Sequence, residues 1–420
     1  MSDFDVVVVG GGPGGASAAI SLASAGARVV LVERERFPRA KLCGEFITPE
    51  CLPHFARLGV GERMRAAGAR EVAETVFYTR GGRSARVPSE WFAGVGTPAL
   101  GLSRAEMDEQ LLRRARAAGV EVLEGTRAVG LLYEAGRVRG VRLKADDAST
   151  HERTTRERRA LVTLDATGRA RALARLLERE ERAPNARERR RRAPLVAFKA
   201  HMEGARGRAG ACEIYFYGGG YGGLSPVEGG LSNLCFIASA RDVRARGGDA
   251  ERVLREVVQT NTRAGETLGP ARAASPWLSV ALERFGRGEV APAPGLLAVG
   301  DAASFIDPFT GSGMLMALES GALAAHAVAQ HLPALRDRKT DGEGGAKSGG
   351  LRAYAALARD YGAAYEARFN SRLRLCSWLR RAAFAPPALA EAAVLTLGAS
   401  ESARRALARA TRRRTMNDEL

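Results

Sequence analysis

Residues 4–9, FDVVVV, form a short apolar run that ends in a cluster of glycines. A strand buried on both faces reads this way, and the run predicts a central parallel strand. Residues 14–25, GGASAAISLASA, predict a helix of small residues, with Gly26 as its stop. Residues 28–32, RVVLV, predict a second buried strand. Residues 103–118 read as a helix, with Ser103 and Glu106 as a capping box and Met107, Leu111 and Leu112 as the apolar face. VEVLEG (120–125) reads as a strand. A small hairpin (LLYEAGRVRGVRLKA), a charged loop at 145–159 and a strand over 161–168, LVTLDATG, follow. Between residues 195 and 240, three strand-like runs separated by glycines predict an antiparallel sheet. LLAVGDAAS (296–304) returns to the buried-strand pattern, and from Gly313 the pattern is helical. Residues 339–350 read as a flexible surface loop, and 351–418 as helices interrupted at Pro386–Pro387.

Composition narrows the class. A chain of 420 residues has room for two or three domains and a sizeable core. With 45% hydrophobic and 26% charged residues, whole-chain disorder and a fibrous fold are excluded. The five cysteines are scattered with no CxxC pair, which argues against a disulfide scaffold or a cysteine zinc site and suits a reducing cytoplasm. Lysine occurs at only five positions, so the net charge of +17 is carried almost wholly by arginine. No reader motif or aromatic–basic interleaving accompanies it, so no nucleic-acid partner is expected. Arg187 and Arg189–Arg192 read as a solvated loop. Val6–Ala27 carries no charge over a length near the ~20 residues of a membrane span. Asp3 and Asp5 precede it and its centre is glycine-rich, so it reads as strand, turn and helix rather than a signal or a span.

The candidate chemistry begins at Gly10-x-Gly12-x-x-Gly15, between a strand and a helix. Gly10 permits the tight turn, Gly12 the approach of a pyrophosphate, and Gly15 close packing of helix on strand. The helix start offers free N–H donors to phosphate. Glu33 ends the second strand eighteen residues after Gly15, where an acid accepts ribose hydroxyls. Such a fingerprint fits NAD or FAD. Asp165–Gly168 and Gly300-Asp301, each after a downstream strand, favour FAD, since a simple NAD dehydrogenase has no need of them. One fingerprint leaves no separate Rossmann module for NAD(P)H.

The chain resembles the FAD oxidoreductases that share the p-hydroxybenzoate hydroxylase fold, and among them the geranylgeranyl reductase family, related to flavin monooxygenases and halogenases. The residues that carry this are GGGPGG (10–15), Glu33-Arg34, FPRAKLCGE (37–45), Arg104 with Asp108, DATG (165–168), YGGGYGGLSP (217–226) and GDAASFIDPFTGSGM (300–314). The resemblance implies an α/β fold: a Rossmann-like FAD-binding domain, with a parallel sheet and a small antiparallel sheet, an antiparallel-sheet substrate domain and a C-terminal helical region. The segments expected are 1–90, 91–180 and 291–335 for FAD, 181–290 for substrate, 336–350 as a loop and 351–420 as helices. It further implies that Gly10, Gly12, Gly15 and Glu33, with Arg34 beside it, hold the ADP half. Arg104 would reach the pyrophosphate or ribityl side, and Gly300-Asp301 the ribityl chain. Pro308 to Gly313, including Gly311, would line the isoalloxazine, with helix N–H groups favouring its anionic reduced form. Ser312 stands where relatives often carry Glu.

Lys41-Leu42-Cys43-Gly44-Glu45 is implied to lie beside the isoalloxazine. Gly44 would allow close approach, Lys41 would face the cofactor, and Cys43 or Glu45 would donate or relay a proton. His54 and His201 read as structural, and no histidine pair has metal-ligand spacing, so no metal is expected. Flavin N5 hydride transfer in a reductase or dehydrogenase, with NAD(P)H as external donor, is the leading expectation, and flavin monooxygenation the alternative. Halogenation is disfavoured because Gly220–Pro226 lacks the Trp-x-Trp-x-x-Pro signature and only Lys41 and Lys199 are candidates to relay the oxidant. A non-enzymatic lipid-binding module of the GDP-dissociation-inhibitor type would not need the intact fingerprint. The substrate is expected to be apolar or aromatic, against a sheet face bearing Phe198, Tyr215, Tyr217 and Phe236. Residues 368–384 are basic and amphipathic and offer peripheral membrane contact or an ordinary packed helix.

Overall fold

The computed structural model describes residues 3–145, 155–181, 194–282, 285–307, 311–337, 347–383 and 400–410. β1 (Phe4–Val9) leads into α1 (Pro13–Ser24), which stops at Gly26 with φ +80° and returns as β2 (Val29–Val32), parallel to β1. Alternate β1 residues serve two separate cores. Val6 and Val8 pack with α1, while Val7 and Val9 pack on the other face of the sheet. That two-sided burial is why Val6–Val9 read as continuously apolar.

β3 (Glu74–Tyr78) and β4 (Ser84–Pro88) form a hairpin. α2 (Arg104–Ala117) starts where Ser103 Oγ accepts the Glu106 N–H at 3.2 Å, and buries Met107, Leu111 and Leu112. β5 (Glu121–Leu123) joins β2, and β6 (Thr126–Glu134) turns back as β7 (Arg137–Ala145). β8 (Thr155–Asp165) begins inside the segment read as a charged loop. Its first half pairs with β7 and its second half lies parallel to β1, so charged residues Arg156–Arg159 are held by the ladder despite their polarity. α3 (Ala172–Glu181) follows.

β9 (Leu195–Glu203), β10 (Ala211–Tyr217), β11 (Gly220–Pro226) and β12 (Ser232–Ser239) form the second sheet. Its order is β9-β12-β11-β10-β3-β4. β3 and β4, assigned by sequence to the first cofactor segment, therefore belong here. β10 pairs with β3 in parallel, Ala211 against Glu74, a long-range match that no local pattern encodes. α4 (Ala250–Glu256) and α5 (Thr262–Leu268) cover one face, and β13 (Leu278–Leu282) extends the sheet beside β9. β14 (Leu296–Ala298) returns to the first sheet, parallel to β8.

α6 (Gly313–Arg336) packs along α1, where Ser17 Oγ donates to Leu318 O at 2.9 Å. α7 (Lys347–Ala383) buries Tyr354, Tyr361, Tyr365 and Phe369, and the Tyr361 hydroxyl donates to Ala298 O at 2.7 Å. In the basic amphipathic stretch, Phe369, Arg372 and Cys376 are buried and Trp378 is exposed. Arg368 and Arg372 pair with Glu319 of α6 at 2.6 and 2.9 Å. α8 (Glu401–Ala410) lies near residues 90–93, with the Arg405 guanidinium over the Trp91 ring. Pro308, Arg187, Arg189–Arg192, Pro386–Pro387, residues 146–154 of the charged loop and most of the 339–350 loop lie outside the described residues. Among the described residues, no helix is long and apolar enough to cross a membrane.

Candidate functional site

The turn after β1 and the turn after β14 are in contact. A Cβ added to Gly14 would lie 3.1 Å from Ala317 O and 3.6 Å from Gly300 Cα. Gly10 has φ +111°, and a Cβ there would meet Ala166 O at 2.2 Å. A Cβ on Gly15 would meet Gly10 O at 1.9 Å. The glycine turn after β1 and the two downstream strand ends, at Asp165–Gly168 and Gly300-Asp301, thus converge on one place. They open on a cavity of about 1220 Å³, large enough for a dinucleotide with room beside it.

In the half next to α1, Glu33 accepts the Gly11 N–H at 2.8 Å and the Glu35 N–H at 3.0 Å. Arg39, within the FPRAKLCGE run but not among the expected site residues, lies 3.6 Å from Glu33 and 3.1 Å from Asp108. Arg104 forms a two-point pair with Asp108, at 2.8 and 2.6 Å. Burial works against the Arg104 charge, but Asp108 and Cys43 more than offset it and raise its basicity. Beside Gly12 the space is open and flanked by guanidinium groups. A Cβ there would stand 3.7 Å from Arg104 Nη2 and 3.9 Å from Arg39 Nη2. Lys41 lines the same cavity, and burial together with Arg104, Arg39, Arg169 and Arg34 pushes its ammonium down to about 8. Arg34 also lines the cavity, paired with the neighbouring Glu35 at 3.2 Å. An open glycine edge, converging cations and a helix start without acidic residues in its first turn fit a pyrophosphate.

The middle of the cavity holds Asp301, whose carboxyl is pushed up by burial against the pull of Arg169, Arg104 and Lys41. Gly311, with φ +62°, and Gly313 line it at the start of α6, and Ser312 is buried between them. Asp165 does not reach this space. It accepts the Thr167, Leu173 and Ala174 N–H groups and so holds the start of α3, while Ala166–Arg169 line the cavity.

The far wall is the second sheet. Thr75, Phe77, Ile214, Phe216, Tyr221 and Ile237 face the cavity. Phe198, Tyr215, Tyr217 and Phe236, expected to form this wall, lie on the opposite face, in the core that includes residues of α4 and α5. Strand residues alternate between faces, so a reading one residue out of phase reverses the whole wall. The aromatic residues were the strongest signal in these strands, and they went to the larger core.

The Lys41–Glu45 loop crosses the junction of the two halves. The Cys43 Sγ receives the Glu45 N–H at 3.5 Å, and Cys43 acts electrostatically on Arg104. A Cβ on Gly44 would meet nothing within 4 Å, which leaves the space a close-approaching ligand needs. Glu45 is fully buried with φ +52°. Its carboxylate lies 2.5 Å from Lys199 Nζ and 2.7 Å from His201 Nε2, and accepts the Arg104 N–H at 2.8 Å. Burial pushes this carboxyl up, but His201, Lys199 and the Arg104 N–H outweigh burial and hold it below the ordinary carboxylate range. His201, read as a structural histidine, thus joins the loop. His54 instead lies 3.9 Å from Glu319, with burial pushing its imidazole down to about 4.

Residues 3–364 match the family described as FAD binding domain. The chain is 28% identical over 340 residues to the menaquinone reductase of Mycolicibacterium smegmatis, covering 76% of this chain and 75% of that protein. It is 28% identical over 334 residues to digeranylgeranylglycerophospholipid reductase 2 of Methanopyrus kandleri, covering 78% and 77%. A triple mutant of the flavin-dependent brominase Bmp2 superposes with a TM-score of 0.73 at 20% identity, over 96% of this chain and 94% of that one.

Proposed function

The chain belongs to the FAD binding domain family and is an FAD-dependent oxidoreductase, and from that premise we propose that it reduces an unsaturated bond in an apolar small molecule. Bound and in its reduced form, FAD would supply a hydride to the acceptor. The residues around it do the rest. Gly12, Arg39, Arg104 and Lys41 hold the pyrophosphate, and Glu33 takes the ribose, with Arg34 beside it. Gly300-Asp301 takes the ribityl chain. The N–H groups at Gly311, Ser312 and Gly313 favour negative charge on the ring system. Phe77, Ile214 and Phe216 exclude water and orient the acceptor by apolar contact. The Cys43 thiol, at the junction, delivers the proton that completes addition of two hydrogens.

The observation that carries this reading is one cavity running from the glycine turn to an apolar sheet wall, with Cys43 where the two halves meet. Relatives named as reductases of menaquinone and of a geranylgeranyl phospholipid support an apolar, unsaturated acceptor. Lys199, considered as the relay of a halogenating oxidant, is instead committed to Glu45. NADPH or NADH would serve as the external electron donor.

The test begins with anaerobic reduction of the FAD-loaded protein by NADPH, NADH or dithionite. Menaquinone or a geranylgeranyl phospholipid is then added and the product weighed by mass spectrometry. A product heavier by two hydrogens is expected. Incorporation of oxygen after exposure to air, or of bromide or chloride, would replace this reading by hydroxylation or halogenation.

A further inference from the structure

Glu45 is held in a left-handed backbone conformation that side-chain-bearing residues rarely adopt, and such strain persists only where surroundings over-determine it. Three donors do so here. Lys199 Nζ and the Arg104 N–H both reach Oε1, and His201 Nε2 reaches Oε2. Lys199 is itself almost fully buried. The next strand adds a fourth tie, since Asn233 Nδ2 donates to Cys43 O at 3.0 Å. His201 faces Asn233 and Lys199 faces Cys235 across the β9–β12 ladder. One patch of the second sheet therefore grips the loop at both Cys43 and Glu45.

We propose that Lys199, Glu45 and His201 form a buried anchor that fastens the Lys41–Glu45 loop to the substrate sheet and so sets the Cys43 thiol at the junction of the cavity's two halves. Glu45 is then a positioning residue, an anionic peg that accepts hydrogen bonds rather than giving a proton. The anchor couples the two domains, because the same loop touches Arg104 on one side and β9 and β12 on the other. This inference rests on the reading of the cavity as the flavin and acceptor site.

A buried pair is costly when one partner is removed and much less so when both are, and this separates positioning from mere charge balance. Glu45→Gln, Lys199→Met and the double variant would be compared with the unaltered full chain, with and without FAD. Four quantities are read: thermal midpoint, FAD affinity by fluorescence titration, the rate of Cys43 alkylation by iodoacetamide, and turnover of menaquinone. Each single variant should melt lower, and the double variant should regain much of the loss. In the double variant, Cys43 alkylation should still be faster by about tenfold, because the loop is released. Its kcat should fall by about tenfold or more with KM within about threefold, as misplacement of a reacting group predicts. A double variant that regained the wild-type alkylation rate and kcat along with its stability would overturn the proposal. Failure of the unaltered protein to bind FAD would instead overturn the flavin reading, and alkylation of the FAD-free proteins would still judge the anchor.

Discussion

Lys41 shows how a single residue ties the site to pH. Burial and four surrounding arginines push its ammonium down to about 8, so in the free protein it is cationic below that pH and neutral above it. Binding a pyrophosphate favours the cation. FAD affinity should therefore fall as pH rises through about 8. Lys41→Met should abolish that dependence and weaken binding by about tenfold at neutral pH, as loss of one charged hydrogen bond does. Fluorescence titrations on either side of pH 8 check both. The glycines separate just as sharply. Gly15→Ala forces a Cβ to within 1.9 Å of Gly10 O, and should cost about 2 kcal/mol or more and yield protein without flavin. Thermal melting and the visible spectrum of the purified variant would show it. The tight turn at Gly10 and the close packing at Gly15 were readable from spacing, because sterics at a tight turn leave few alternatives. The partners of Glu45 were not readable, since Lys199 and His201 lie more than 150 positions away.

At the scale of elements, the two faces of the second sheet carry different work. Phe236 stacks on Phe198 at 5.1 Å in the core, whereas Phe216 stacks on Phe77 at 6.4 Å on the cavity wall. Phe236→Ala should destabilise by about 3 to 5 kcal/mol with little change in KM. Phe216→Ala should raise KM for an apolar acceptor by about tenfold, through lost apolar contact, and change stability far less. Denaturant melts and steady-state kinetics on both variants give the contrast. Equal effects of the two on KM would remove the wall from its assigned role. Local elements were legible where local physics specifies them. The Ser103–Glu106 cap starts α2 at the expected residue, and FDVVVV is β1. The phase of β10 and β12 was not legible, because each strand carries apolar residues on both faces and alternation alone does not say which faces the larger core.

Across the whole molecule, Asp5 joins the chain's beginning to the end of α6. Its buried carboxylate accepts the Arg28 N–H at 2.8 Å and the Arg336 Nη2 at 2.8 Å. Burial pushes this carboxyl up, but the hydrogen bonds from Arg336 and Arg28 outweigh it and bring it from 3.8 to about 2. A carboxyl depressed on folding stabilises the protein above its unfolded value and loses that contribution as pH falls through 3.8 towards about 2. Asp5→Asn should therefore cost about 2 kcal/mol at neutral pH, with the difference vanishing near the acid end of that window. Denaturant melts of both proteins across that range test it. The sequence by itself determined the β1–α1–β2 unit, its phosphate-ready turn and the demand for FAD, because these follow from turn sterics, buried-strand composition and helix-terminal charge within a few dozen residues. Contacts between distant segments determined the rest: the pairing of β3 with β10, the face the second sheet turns to the cavity, and the anchoring of Glu45 between Arg104, Lys199 and His201. Those depend on which surfaces meet once the chain has collapsed, and burial rewards any apolar face equally until the partner surfaces are in place.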